Sequence, residues 1–185
     1  MDNGACSYRR YLNGDPQGIA DIVEAYKDGL TLYLNGTVGN LTVAEELTEE
    51  TFFRLFSKKP RFSGRSSFKS WLYAIGRNVA VDYIHHSARL PATSLEEAEN
   101  YLADQQDLER AYLQQEDKIS LHRAMAQLPE DYRTVLWLVY FEEFSNDEAA
   151  VALGKSRRQI RNLLYRAKQS LRITLEKEGF VYEEL

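Results

Sequence analysis

Several features that mark common protein classes are scarce in this chain of 185 residues. It has a single cysteine, Cys6, so no disulfide can form within the chain, and a reducing compartment is expected. Ten glycines and four prolines are too few for a fibrous or low-complexity protein. The longest apolar run, residues 135–141, is far shorter than a membrane span, and the N-terminal residues lack the basic-then-apolar pattern of a secretory signal. The sequence therefore predicts a cytoplasmic protein with no membrane-inserted segment.

The charges that are present are unevenly distributed. The chain has 23 basic and 28 acidic residues, a net charge of -5 that by itself argues against nucleic-acid binding. However, residues 57–89 hold seven basic residues and one acidic residue, and residues 154–172 hold seven basic residues and no acidic one. Between them, residues 90–117 hold eight acidic residues and one basic residue. One basic stretch is more typical of a solvated helix face, but two on separate predicted domains favour binding to phosphates.

The hydrophobic spacing predicts helices almost throughout, without the alternation that strands require. Apolar residues recur every three to four positions over about residues 18–34, 42–56, 67–86 and 131–141. The predicted fold class is all-α, with two small helical domains at residues 18–89 and 119–177, joined by an acidic linker at residues 90–118. Gly36 and Gly39 are predicted to break the first of these helices, and the residues around Cys6 are expected to be mobile.

Two capping signals define a helix-turn-helix in the second predicted domain. Ser145 and Glu148 have the Ser-x-x-Glu spacing of a capping box, and the short helix that they open ends at Gly154. Ser156 and Gln159 repeat the signal and open a long helix. Such a motif suits the DNA major groove, but many helical hairpins share the same turn. The motif alone therefore leaves DNA binding and a purely structural helix pair both open.

The first turns of the long helix carry side chains that suit base recognition. Free N–H groups and the dipole at a helix N-terminus favour phosphate, and a helix fits the major groove. Arginine can pair with guanine, and glutamine or asparagine can pair with adenine, in bidentate geometry. The residues at these positions are Arg157, Arg158, Gln159, Arg161 and Asn162.

Several segments, taken in order, resemble the extracytoplasmic-function (ECF) sigma factors of bacterial RNA polymerase. Residues 44–56 (AEELTEETFFRLF) are similar to the family's Ala-Glu-Asp-Leu-Thr-Gln-Glu-Thr-Phe-Leu-Arg-Leu-Trp helix. Residues 62–83 (FSGRSSFKSWLYAIGRNVAVDY) resemble its Phe-x-Gly-x-x-Ser-Phe-x-x-Trp-Leu-x-x-Ile-Ala-Arg-Asn segment. Leu128-Pro129, Tyr132-Arg133, residues 140–142 and the helix-turn-helix match the family's fourth conserved region in order and spacing.

The resemblance implies an RNA polymerase sigma factor that directs promoter-specific transcription initiation, with residues 18–89 as region 2 and residues 119–177 as region 4. Region 2 would dock on the largest polymerase subunit through Glu46, Glu49 and Glu50. It would recognise and melt the minus-ten promoter element through Arg65, Ser66, Ser67, Lys69, Arg77, Asn78, His85 and Arg89. Region 4 would read the minus-thirty-five element through Arg157, Arg158, Gln159, Arg161, Asn162, Arg166 and Lys168. Core RNA polymerase, promoter DNA and an anti-sigma factor are the implied partners. The spacing of Phe68 and Trp71 favours core packing over base stacking.

The sequence offers little for an enzyme. Asp82, His85 and His86 have spacing that could supply metal ligands, but no HExxH or Cys-His pattern accompanies them. We therefore predict no metal, no cofactor and no catalytic residue. A stand-alone helix-turn-helix transcriptional regulator is the alternative, and a helical interaction protein without a DNA role is a third hypothesis. The sigma hypothesis predicts weak promoter binding by the free protein, whereas a regulator would bind its operator tightly alone.

Overall fold

The computed structural model describes residues 3–87, 121 and 123–177, and every regular element in these ranges is an α-helix. The first half contains α1 (Asn3–Leu12), α2 (Gln17–Val38), α3 (Leu41–Lys58) and α4 (Phe68–Ser87). The second half contains α5 (Glu130–Tyr140), α6 (Asn146–Leu153) and α7 (Arg157–Lys177). The all-α prediction is confirmed, while the acidic linker at residues 90–118 lies outside the described residues.

The expectation that the residues around Cys6 are mobile is wrong, because α1 packs into the core of the first half. Tyr8 is 2% exposed, and its hydroxyl donates to the carbonyl oxygen of Pro60 at 2.8 Å. The hydroxyl of Tyr11, one turn later, donates to the carbonyl oxygen of Phe56 at 2.6 Å. Burial, with a smaller contribution from Tyr11, raises the pKa of Tyr8 to about 12, so the hydroxyl remains a donor. Two aromatic side chains at i and i+3 thus anchor α1 onto the last turn of α3 and the loop that follows it.

Helices α2, α3 and α4 bury most of the apolar positions that the periodicity predicted, but Tyr83, predicted on the same face of α4 as Phe68, is 38% exposed. Phe68 is fully buried, and the ring centroids of Phe68 and Trp71 lie 5.5 Å apart, so the preference for core packing over base stacking is confirmed. The predicted helix break at Gly36 is wrong, since α2 runs on to Val38. The predicted break at Gly39 is confirmed, since the helix ends there and its φ of 70° lies in the left-handed region that glycine adopts easily.

The two halves of the molecule pack against each other. Helix α4 contacts α6, and helix α2 contacts α5. Tyr73 of α4 and Phe144, in the loop before α6, are both buried, and their ring centroids lie 5.2 Å apart. The buried apolar residues of both halves form one continuous cluster. The two helical units are therefore joined through a shared core.

Gly18 should be sensitive to substitution, because α1 crosses α2 there. A β-carbon at Gly18 would overlap the carbonyl oxygen of Ser7 and lie 2.8 Å from the amide nitrogen of Tyr11. We expect Gly18→Ala to lower the free energy of unfolding by about 1–3 kcal/mol, because overpacked backbone cannot relax cheaply. Urea unfolding followed by circular dichroism measures the change.

Gly36→Ala, on the same helix, is the matched control. Its β-carbon would meet nothing closer than the Thr134 hydroxyl at 4.0 Å. Stability should hold, or rise by up to about 1 kcal/mol from the better helix propensity of alanine. Equal destabilisation by both variants would contradict the packing argument.

Candidate nucleic-acid and polymerase interface

Two capping boxes shape the helix-turn-helix. The Glu148 amide donates to the Ser145 hydroxyl at 3.3 Å, and the Ser145 amide donates to the Glu148 carboxylate at 3.0 Å. Gly154 then ends α6 with a φ of 60°. At the start of α7, the Ser156 amide donates to the side-chain oxygen of Gln159 at 2.7 Å, and the Gln159 amide donates to the Ser156 hydroxyl at 3.3 Å. Both predicted boxes and the predicted glycine turn are confirmed.

Helix α7 presents its cationic face to solvent. Ile160, Leu164 and Ala167 are buried at three-to-four spacing and hold the opposite face in the core. Along the helix, no acidic residue precedes Glu176. The exposed residues include every side chain predicted to read the minus-thirty-five element: Arg157, Arg158, Gln159, Arg161, Asn162, Arg166 and Lys168. The structure therefore brings this predicted set together on one helix, beginning at its N-terminus.

The residues predicted for the minus-ten element do not share one surface. Arg65 is exposed in the loop before α4, Ser66 beside it is half-buried, and Asn78 and His85 are exposed on α4. Ser67 opens α4, since its hydroxyl accepts from the Ser70 amide at 3.3 Å. Arg89 lies outside the described residues.

Lys69 and Arg77 instead face the second half of the molecule. The Lys69 ammonium lies 2.7 Å from a carboxylate oxygen of Glu142 and donates to the carbonyl oxygen of Glu142 at 2.8 Å. The Arg77 guanidinium lies at the turn of the helix-turn-helix, where a β-carbon on Gly154 would be 3.4 Å from Nη1. These two predicted DNA contacts are therefore partly covered by residues of the second half, and both remain half-buried.

A small cavity opens between α3 and α4 beside Asn78. Its volume is about 210 Å³, and it is lined by Arg54, Lys58, Pro60, Ile75 and Asn78. The combination of an apolar floor, one amide and two cationic side chains suits a planar polar group attached to a phosphate. The sequence analysis named Asn78 but missed this cavity, because its lining comes from three separate segments.

The predicted polymerase-binding side chains share one face of α3. Glu46 and Glu49 are exposed, and Glu50 is half-buried. The carboxylate of Glu50 accepts from Arg54 Nε at 2.7 Å, and Arg54 also reaches Asp82 of α4 at 3.0 Å. The carboxylates of Glu46 and Glu49 are therefore exposed to solvent, while Glu50 is part of the ion-pair network that links α3 to α4 through Arg54.

Phe53 belongs to the same face and was missed by the sequence analysis. Its side chain is 65% exposed. At 100° per residue, it lies between Glu46 and Glu49 around the helix. The neighbouring Phe52 takes the core position and is 7% exposed. The sequence could have predicted this exposure, since two adjacent phenylalanines cannot both point to the same side of a helix.

The described residues contain no cluster of three His, Cys, Asp or Glu side chains suited to a metal ion, and no helix long and apolar enough to cross a membrane. The sequence spacing suggested Asp82, His85 and His86 as candidate metal ligands. In the structure, the Asp82 carboxylate pairs with the Arg54 guanidinium at 3.0 Å.

Each half of the chain matches a known protein family model. The family model "Sigma-70 region 2" matches residues 22–90, and "Sigma-70, region 4" matches residues 118–171. The ECF sigma factor SigC of Mycobacterium tuberculosis is 35% identical over 128 residues, covering 69% of this chain and 68% of SigC. The sigma-H factor of Pseudomonas aeruginosa is 29% identical over 170 residues, covering 88% of each chain.

Among solved structures, the sigma factor RpoE of Bartonella quintana, in complex with the anti-sigma factor NepR, has a similar fold. Its TM-score is 0.63, with 18% identity, over 85% of this chain and 96% of that chain.

The two matched regions, in this order, define a sigma-70-type transcription initiation factor. The chain belongs to the sigma-70 family of RNA polymerase sigma factors, and within that family to the ECF type. It binds core RNA polymerase and promoter DNA and directs promoter-specific initiation. The predicted family, fold class and function are confirmed.

The capping box of α6 should make stability depend on pH through Glu148. Burial acts to raise the pKa of Glu148, but hydrogen bonds from the Ser145 amide and from the Ser67 and Ser145 hydroxyls hold it below its usual value. Because the pKa of Glu148 is lower in the folded protein than in the unfolded chain, its charged form stabilises the folded state. This stabilisation is complete above the unfolded pKa of about 4.3 and is lost as the pH falls through the pKa of the folded protein.

We expect Glu148→Gln to lower the free energy of unfolding at pH 7 by about 0.5–1 kcal/mol. The gap from the unmodified protein should shrink on acidification from pH 5 to pH 3, because both proteins are then uncharged at this position. Urea unfolding at several pH values measures it, with the exposed Glu143→Gln as control. A gap that is constant across this range would contradict the assignment.

Proposed function

We propose that α7 and α4 are the two promoter-reading surfaces of this sigma factor, and that α3 docks it on the polymerase. The observation that carries the proposal is the unbroken cationic face of α7, which begins at a capped helix N-terminus. RNA synthesis itself is the polymerase's reaction, and this chain supplies recognition without catalysis. We place its action in the cytoplasm, where the polymerase is.

At the minus-thirty-five element, α7 would enter the major groove by its first turns. Arg157 is held near the turn by the exposed carboxylate of Asp147, at 3.3 Å, and this weak pair would exchange for a phosphate. Arg158 and Asn162 would read base edges, because these side chains make bidentate contacts. Gln159 would add only its amide NH2, because its side-chain oxygen accepts from the Ser156 amide at 2.7 Å. Arg166 and Lys168, further along, suit the phosphate backbone.

At the minus-ten element, one strand must be separated and its bases unstacked. The cavity beside Asn78 would accept one such base, with the Asn78 amide hydrogen-bonding its edge. Lys58 at the rim would neutralise an adjoining phosphate, whereas the charge of Arg54 is already compensated by Glu50 and Asp82. The aromatic core residues Phe68 and Trp71 would not take part, because they pack against each other and not toward solvent.

A regulator is also proposed. The similar sigma factor from Bartonella quintana was solved in complex with an anti-sigma factor. We infer that a protein of that class sequesters this chain, and that it competes for the same surfaces of α3, α4 and α7.

Loss of the first two cations of α7 should abolish promoter choice. We expect the double variant Arg157→Ala/Arg158→Ala to reduce specific transcripts by about 10- to 100-fold, since each base or phosphate contact contributes about 1–3 kcal/mol. The measurement is reconstituted transcription with core polymerase on fragmented genomic DNA, with transcript starts mapped.

Arg172→Ala is the matched control, because Arg172 lies four turns further along α7 and pairs with Glu176 at 2.8 Å. Its transcript starts should resemble those of the unmodified protein. If the unmodified protein fails to initiate with a core enzyme that is active with another sigma factor, the stand-alone regulator becomes the better hypothesis. Tight sequence-specific binding without polymerase would point the same way.

Phe53 should anchor the docking face of α3. We expect Phe53→Ala to weaken binding to core polymerase by about tenfold or more, because a large exposed apolar side chain among carboxylates is typical of an interface hot spot. Its removal should leave folding intact, since the side chain is 65% exposed. Fluorescence titration with core enzyme measures the affinity. The exposed Glu24→Ala on α2 is the control, and equal affinity of both variants would exclude Phe53 from the interface.

A further inference from the structure

Helix α3 ends at an exposed residue with an unusual backbone conformation. Lys59 has a φ of 45° and a ψ of 54°, in the left-handed region. Helices α2 and α6 end in the same region, but with glycine, at Gly39 and Gly154. A lysine there is strained, because its β-carbon crowds the carbonyl oxygen that follows, whereas glycine has no β-carbon. Strain of this kind at an exposed position indicates a role other than backbone stability.

Helix α1 fixes the backbone on both sides of Lys59. The Tyr11 hydroxyl donates to the carbonyl oxygen of Phe56, in the last turn of α3, at 2.6 Å. The Tyr8 hydroxyl donates to the carbonyl oxygen of Pro60, directly after Lys59, at 2.8 Å. Both bonds come from α1, so the turn at Lys59 cannot relax without breaking one of them. Residue 59 is therefore held in one orientation.

The contact of Lys59 with α1 does not account for the presence of lysine. Its ammonium lies 5.0 Å from the ring centroid of Tyr11. An exposed cation–π contact is weak and does not exceed the strain that a lysine has in this conformation. Stability by itself therefore gives lysine no advantage over glycine at this helix end.

The segment around Lys59 carries positive charge that is not neutralised. No acidic residue occurs in residues 51–81. The neighbours of Lys59 in the chain, Lys58 and Pro60, both line the cavity beside Asn78. A strand whose base enters this cavity would pass its phosphates close to these cations. The exposed cations that form no ion pair with another described residue are Lys58, Lys59, Arg61 and Arg65.

We propose that Lys59 contacts a promoter phosphate beside the minus-ten cavity, and that α1 holds it there through Tyr8 and Tyr11. The inference rests on the proposed function, because it requires a base of the melted strand to enter the cavity. It adds Lys59 to the residues assigned to the minus-ten element. It also gives α1 a part in promoter binding without a DNA contact of its own, since Tyr8 and Tyr11 are positioning residues that act through Lys59.

Replacing Lys59 by glycine separates a phosphate contact from a structural role. Lys59→Gly relieves the strain and removes the charge, so the urea midpoint of the full-length protein should hold or rise. Promoter binding by the holoenzyme should nevertheless weaken by about three- to fivefold at about 0.15 M salt. The probe is a promoter fragment chosen from the mapped transcript starts, and fluorescence anisotropy measures its binding.

Salt dependence identifies the contact as one with a phosphate. Each phosphate contact on a single strand contributes about 0.7 to the slope of log affinity against log salt concentration. We expect Lys59→Gly and the neutral Lys59→Asn to reduce this slope by about 0.7, and Lys59→Arg to retain both slope and affinity. Lys27→Ala, which removes an exposed cation of α2, is the matched control and should change neither.

The outcomes separate this contact from the proposed function. An unchanged slope in Lys59→Gly would overturn the phosphate contact, and so would a loss of stability and affinity that is shared by Lys59→Arg. Weaker binding of Lys59→Gly to core polymerase, measured by fluorescence titration, would place the residue at the polymerase and overturn the assignment as well. If the unmodified protein fails to initiate with a core enzyme that is active with another sigma factor, the proposed function fails, and the inference falls with it.

A double-variant cycle tests the support from α1. Tyr8→Phe keeps the buried ring and removes only the hydroxyl that donates to Pro60. We expect it to weaken promoter binding by about twofold in the unmodified protein and to have no effect in Lys59→Gly, because the turn then carries no charge to position. Equal effects in the two backgrounds would show that Tyr8 does not act through Lys59.

Discussion

The burial of the Glu142 carboxylate is the constraint on which the arrangement of this molecule depends. A carboxylate that is 11% exposed needs partners, and those partners lie on α4 at Lys69 and Tyr73. To reach them, the segment after α5 must press against region 2, where Gly29 leaves room for the carboxylate. The position of α6, and so of the turn that leads into α7, follows from that contact.

Charge serves two opposed purposes in this protein. The cations of α7 are exposed to solvent, whereas Lys69 and Arg77 of α4 are half-buried beside region 4. The same positive groups can be satisfied by a carboxylate of the chain or by phosphates of DNA, but not by both. A net charge of -5 is therefore compatible with DNA binding, because the phosphates interact with the local positive potential of each helix and not with the net charge of the whole chain.

The local features of the fold were predictable where their causes are local. Capping boxes at Ser145 and Ser156, and the left-handed turn at Gly154, depend on residues three or four positions apart, and all three are present. The predicted break at Gly36 failed because packing of Val38, two residues later, against the core outweighs a propensity cost of about 1 kcal/mol. Helix α1 was missed because Tyr8 and Tyr11 bond to carbonyl oxygens roughly fifty positions away.

The sequence by itself determined the helices after α1, the helix-turn-helix and the family, since periodicity, capping and motif order are all short-range signals. Only the tertiary structure decided which of the predicted contact side chains are available. It brought Asn78 to a cavity shared with Arg54 and Lys58, left Phe53 exposed, and turned Lys69 toward Glu142. The physical reason is that these contacts join residues far apart in the chain, and no spacing within one helix encodes which distant side chain will meet it.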